Sequence, residues 1–135
     1  MFKLFCCITL SMSLLGCAAH SPMILMNTTD VESLSKKQYQ SHTKKVFITE
    51  NSFPKETYDE IAIIDVGTTW YGSDDKVKQM MADKARKIGA NAVIEVTTWH
   101  QPSGFSWAAP HGKGKAVKFI DDNFINNLPK DNGWF

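Results

Sequence analysis

The stretch that decides the fold is residues 73–99, SDDKVKQMMADKARKIGANAVIEVTTW. Ser73 stands where a helix N-cap belongs, with Asp74 and Asp75 in the first turn facing the positive end of the dipole. Val77, Met81, Ala85 and Ile88 recur at helical spacing, with Met80 beside them, and make one apolar stripe. Lys84, Arg86 and Lys87 crowd the negative end, and Gly89 takes the position just past the helix. Residues 91–99, NAVIEVTTW, then read as a strand. One amphipathic helix turning sharply into a strand is the expected centre of the domain.

Working upstream, VFIT at residues 46–49 has strand composition, and residues 51–54 break it. Tyr58 leads into EIAIIDVG, residues 60–67, a β-branched run expected to form a central, largely buried strand. Residues 68–71 are read as its extension, closed by Gly72 and Ser73. Downstream, residues 100–112 read as a loop carrying Pro102, Gly104, Phe105, Trp107 and Pro110. KAVKF, residues 115–119, alternates polar and apolar as a half-exposed strand should. Residues 121–135 are Asn-rich and read as a loose tail with one helical turn. The order is β-β-α-β-β. It defines an α+β domain over residues 46–120, a small sheet of about four strands with one packed helix.

The chain places all three of its cysteines within the first seventeen residues. Lys3 precedes an uncharged stretch from Leu4 to Gly16, too short for the roughly 20 residues that span a bilayer. A positive start, a short apolar middle and small residues at the end mark residues 1–16 as a secretory signal peptide. Leu14-Leu15-Gly16-Cys17 resembles the bacterial lipobox, which implies cleavage between Gly16 and Cys17 and lipid on the Cys17 thiol. An ordinary signal peptide cut after Ala18 or Ala19 is the alternative. Each buried methylene contributes about 0.8 kcal/mol, so two or three acyl chains make a stable anchor. On the lipobox reading, Ala18 in place of aspartate implies the outer membrane, and the mature chain keeps no free thiol. Residues 17–45 are rich in Ser, Thr, Asn, Gln and Lys and are expected to form the lipidated start and a flexible tether. Met23-Ile24-Leu25-Met26 interrupts that polarity, either on the lipid surface or as a stray edge strand.

The 15 basic residues include Lys3, so the processed chain balances 14 basic against 14 acidic residues. No basic stripe points to nucleic acid. Fewer than about 100 residues remain for folding, which is enough for one modest domain.

ARKIGANAVI, residues 85–94, resembles a helix-to-strand corner of two related groups. One is the small YbjQ-like bacterial domains with a heavy-metal-binding label; the other is the RcsF-like envelope-stress lipoproteins. In physical terms, Ala85, Ala90 and Ala92 let helix and strand approach closely, and Val93 and Ile94 enter the core. Tyr58-Asp59-Glu60-Ile61 also suits a strand opening of these domains. The RcsF-like domain is held by disulfides, whereas residues 99–119 here contain no cysteine. The resemblance therefore bears on architecture before function.

No nucleophile elbow, phosphate loop, dinucleotide fingerprint or HExxH motif is present, and no catalytic residue is assigned. Asp65 reads either as a buried acid or as a strand-end carboxylate in water, and Glu95 as solvent-facing. His100 and His111 bracket the aromatic loop, where they could meet, while His20 and His42 lie in the tether. Two histidines without a third donor make a poor zinc site, and no metal or other cofactor is expected. Trp99, Phe105 and Trp107 are the candidate partner contact, since exposed aromatics anchor protein interfaces. The alternative is a lid over a small core. Gly133-Trp134-Phe135 reads as coincidence or a late packing contact.

The expected function is a non-enzymatic lipoprotein of the outer membrane with its domain in the periplasm. It would bind another envelope protein, as a stress sensor or an assembly accessory. The alternative is a small-ligand or metal-binding domain of the YbjQ type, with the ring-forming oligomers that this resemblance implies.

Overall fold

A computed structural model describes residues 28–104, 106–129 and 133–135. Strands β1 (Thr28–Ser33), β2 (Phe47–Ile48), β3 (Tyr58–Gly67), β4 (Ala92–Ser103) and β5 (Ser106–Phe119) form one sheet in the order β1-β3-β5-β4-β2. Helix α1 (Asp74–Lys87) connects β3 to β4, and the short α2 (Asp122–Asn126) follows β5. Pairing is antiparallel except for β2 along β4, so the sheet is mixed. The α+β class stands, with five strands and two helices among the described residues instead of about four strands and one helix. Among the described residues no helix is long and apolar enough to cross a membrane.

α1 follows the expected pattern closely. Val77, Met81, Ala82 and Ala85 are buried, and Ser73 is the N-cap residue, although its hydroxyl makes no capping bond. At the C-terminus the Ala90 amide donates to the Ala85 carbonyl (2.9 Å) and the Gly89 amide to that of Arg86 (3.2 Å). With Gly89 at φ +81°, these two bonds make a Schellman cap that turns the chain into β4.

The sheet carries a core on each face. α1 packs on one face against Ala62, Ile64 and Val66 of β3, Val93 and Val96 of β4, and Ala116 of β5. β5 presents Gly112 and Gly114 to that side. A Cβ at 112 would lie 2.6 Å from Val77 Cγ1, and one at 114 would lie 2.7 Å from Val93 Cγ1. The other face buries Phe47, Tyr58, Ala92, Ile94, Val117, Phe119 and Ile125, with Phe53, Phe124 and Trp134 at its margin. Successive strand residues point to opposite faces, so Val93 and Ile94 enter different cores. One extra residue in β4 between the pairs Ile94↔Lys115 and Thr97↔Lys113 forms a bulge, with Glu95 at φ +53°.

Three segments differ from the sequence reading. The flexible tether expected through residue 45 does not extend that far, because Thr28–Ser33 pairs along the outer edge of the second half of β3, Thr28↔Gly67 to Ser33↔Ala62. The anchor, the signal peptide and Met23 to Met26 lie outside the described residues. The loop expected at 100–112 is instead the far half of a long hairpin, in which β4 and β5 pair out to Ser103↔Ser106. The tail is ordered where it is described. The Val46 amide donates to the Phe135 carbonyl (2.9 Å), the Phe135 amide to that of Val46 (3.1 Å), and the Ile48 amide to that of Gly133 (2.7 Å). The Trp134 ring lies 5.4 Å from that of Phe47.

The segment after β1 is tied to β3 through Asp59, which accepts from the Tyr39 hydroxyl (2.6 Å) and the Lys37 ammonium (2.9 Å). Those hydrogen bonds, Tyr39 first, hold the Asp59 carboxyl below its ordinary 3.8. A lowered carboxyl stabilises fully above the unfolded value and loses that contribution as pH falls through the folded one. Below about pH 4, amide protection over residues 37–42 should therefore drop in the wild type. Asp59→Asn should show the lowered protection at neutral pH; identical protection in both proteins would remove Asp59 from this role.

Candidate functional site

The distal half of the β4–β5 hairpin is where the sequence-predicted contact residues fall. Trp107 is 81 % exposed. Trp99, by contrast, is only partly exposed. Its ring stacks on His111 at 6.0 Å and 25°, and its indole N–H donates to Gln101 Oε1 (2.9 Å). The two readings of this aromatic segment thus divide between its residues, with Trp99 packed and Trp107 presented. Phe105, Gly16 and Cys17 lie outside the described residues.

His111 is only 3 % exposed, and its ring lies against Gly67, where an added Cβ would come within 2.8 Å of Nε2. Its Nδ1 is 2.9 Å from the Ala109 carbonyl, so Nδ1 carries the proton and Nε2 is left without a partner. His100 sits one residue along β4 from Trp99, the cross-strand partner of His111, and therefore points to the opposite face. There its Nε2 is 3.7 Å from Asp74 at the start of α1. The expectation that His100 and His111 could meet is corrected by this register. No group of three or more His, Cys, Asp or Glu side chains converges among the described residues.

Two exposed aromatics escaped the sequence reading. Trp70 is 56 % and Tyr71 54 % exposed, in the connection from β3 to α1 that was read as a strand extension. β3 stops at Gly67 because Thr68 turns across the hairpin. Its amide (3.2 Å) and hydroxyl (2.8 Å) both donate to the Pro110 carbonyl, and Thr68 itself is buried. These two hydrogen bonds fix the Trp70–Tyr71 turn beside the hairpin. The available signal was the run GTTWYGS, whose glycines and hydroxyl residues mark a turn.

Farther down the same sheet face a shallow cleft of about 390 Å³ is lined by Ile63, Glu95, Thr97, Trp99, Lys113 and Lys115. The Lys115 ammonium lies 3.1 Å from Glu60 and 3.3 Å from Glu95. Burial alone would lower its pKa, but the two carboxylates outweigh burial and raise it. Asp65 is half-exposed, 3.9 Å from Lys113, and Glu95 is exposed at the bulge.

At the opposite end, where α1 terminates, a second cleft of about 480 Å³ is lined by His42, Lys44, Lys45, Lys118, Tyr39 and Trp134, among others. Asp122 is the one acidic residue lining it among the described residues. His42 Nε2 is 2.7 Å from the Ala90 carbonyl, and its Nδ1 has no partner. Comparisons with protein-family models, curated proteins and solved structures give no match to this chain.

Proposed function

We propose that this protein is a non-enzymatic, lipid-anchored domain of the bacterial outer membrane, facing the periplasm and binding another envelope component through its distal hairpin end. A role as stress sensor or assembly accessory follows from that placement. The observation that carries the reading is Trp107, held 81 % exposed on a paired strand, where a ring serving only the core would be buried. The lipobox-like sequence ending at Cys17 and the helix-to-strand corner at residues 85–94, which resembles RcsF-like and YbjQ-like domains, support the anchor and the class. A photo-crosslinking phenylalanine analogue at position 107 should trap an adduct in living cells, while the same group at Lys55, exposed near the other end, should not. Equal trapping at both positions, or none at 107, would discard the hairpin as the contact. Intact-mass analysis of membrane-purified protein should show acyl chains on Cys17.

The cleft around His42, Lys44, Lys45 and Lys118 favours a second reading, a small-ligand domain that takes an anion. Three lysines facing one carboxylate give it the electrostatics, and its size suits a small molecule. Calorimetric titration with inorganic phosphate should give saturable heat that Lys118→Glu abolishes. No heat in the wild type removes phosphate-like anions from consideration.

A further inference from the structure

The distal end shares two properties with a membrane-interface surface, and the chain enters the fold at that end. Residues 66–73 and 99–112 together contain no Asp, Glu, Lys or Arg, in a chain with 29 such residues out of 135. These segments form one end of the molecule. The turn after β3 is bonded to Pro110, and a Cβ on Gly72 would lie 3.6 Å from the Pro110 ring. Three of the four tryptophans, with Tyr71, belong to these segments, and Trp70, Tyr71 and Trp107 are more than half exposed. Tryptophan and tyrosine are the side chains that settle at the headgroup level of a bilayer, and the charged groups nearest this end are Asp74, beside His100, and Lys76, beside Gly72, both at the start of α1.

β1 begins at Thr28, opposite Gly67, and Gly67 in turn pairs with His111. Thr28, the first described residue, therefore enters the sheet at the aromatic end. Ten residues separate Cys17 from Thr28, and the steps from one to the other span at most about 40 Å. The paired hairpin extends five residues beyond His111, to Ser106, about 17 Å toward the same side. Lys118 and the His42 cleft lie the other way along β5, where Trp134 also packs, against Phe47.

We infer that the envelope component met by the distal end is the lipid surface itself: Trp70, Tyr71 and Trp107 dock into the headgroup layer of the bilayer that holds Cys17, and the basic cleft points away from it. This inference rests on the anchor reading above. Docking fixes the orientation of the domain on the bilayer.

The test uses the lipidated full chain, its acylation verified by intact mass, in vesicles of mainly phosphatidylethanolamine with some phosphatidylglycerol. The vesicles also carry lipids brominated near the headgroup end of the acyl chain. In single-tryptophan variants with the others changed to phenylalanine, Trp107 emission should be quenched and Trp134 emission should not. Quenching of Trp134 alone would show the reverse orientation and overturn the inference. Quenching of neither, with acylation intact, would overturn docking and leave the anchor standing. Absence of acyl chains in the mass would instead strike the anchor, and docking with it. A second measurement spares the tryptophans. Amide exchange at Trp70, Tyr71 and residues 106–108 should slow in nanodisc-held wild type relative to soluble Cys17→Ser chain lacking the signal, with Lys44 and Lys45 unchanged. A protein-sized crosslink from position 107, together with unslowed exchange, would assign the surface to a protein partner and overturn the lipid assignment.

Discussion

Phe119→Ala should cost about 3–5 kcal/mol of stability, the largest loss expected from any single truncation in the second core. Phe119 is 1 % exposed and closes a set of rings at 5.1 Å from Phe124, 5.2 Å from Phe53 and 5.9 Å from Tyr58. The Phe53 and Tyr58 contacts are edge-to-face, which adds to simple area burial. Those partners come from the segment before β3, from β3 itself and from α2, so the cavity left by alanine cannot collapse by moving one element. A domain of this size is stable by only about 5–15 kcal/mol, so the variant falls close to the unfolding threshold. In urea, with a slope near 2 kcal/mol per molar, the midpoint should drop by about 2 M. A drop below about 0.5 M at an unchanged slope would mean that the second core contributes little.

Gly89→Ala should cost about 2–5 kcal/mol, from two separable causes. At φ +81° an L side chain is strained by about 1–2 kcal/mol. The new Cβ would also lie 2.4 Å from Tyr39 Cβ and 2.8 Å from the Gln40 carbonyl oxygen. Backbone must then shift, at the cost of about 1–3 kcal/mol typical of overpacking. The displaced segment includes the Tyr39 hydroxyl bond to Asp59 and the His42 amide bond to the Arg86 carbonyl. Protection should therefore fall over residues 37–42 as well as globally. Gly72→Ala is the matched control. Its φ is not positive and its nearest neighbour, Pro110 Cγ, would be at 3.6 Å, so its stability should change by less than about 1 kcal/mol. Equal losses at both glycines would refute the geometric argument.

What could be read from the sequence follows the range of the interactions involved. α1, its Gly89 cap and the step into β4 were legible because stripe, charges and cap are written within some twenty residues. The long hairpin was not, because its glycines and prolines answer to distant neighbours. Gly112 is small because Val77 and Met81 of α1 sit over it. Pro110 is tolerated because β3 ends opposite His111, leaving β5 without a strand neighbour on that side. β1 escaped notice because an edge strand needs only one inward apolar residue, and Val31 alone packs on the core. For the site, residue type pointed to Trp107. The face on which each ring lies was set by cross-strand register, and that divided Trp99 from Trp107 and His100 from His111.

The pairing of residues 133–135 with β2 has a consequence for biogenesis. Among the described residues, Val46 and Ile48 find their hydrogen-bond partners on that edge in Phe135 and Gly133, about ninety positions later in the chain. A nascent polypeptide lacking those residues cannot seal the outer edge of β2, and contacts of such separation form slowly. Until residues 133–135 have been made, the outer edge of β2 therefore stays open, and the two ends of the domain close together in one late step.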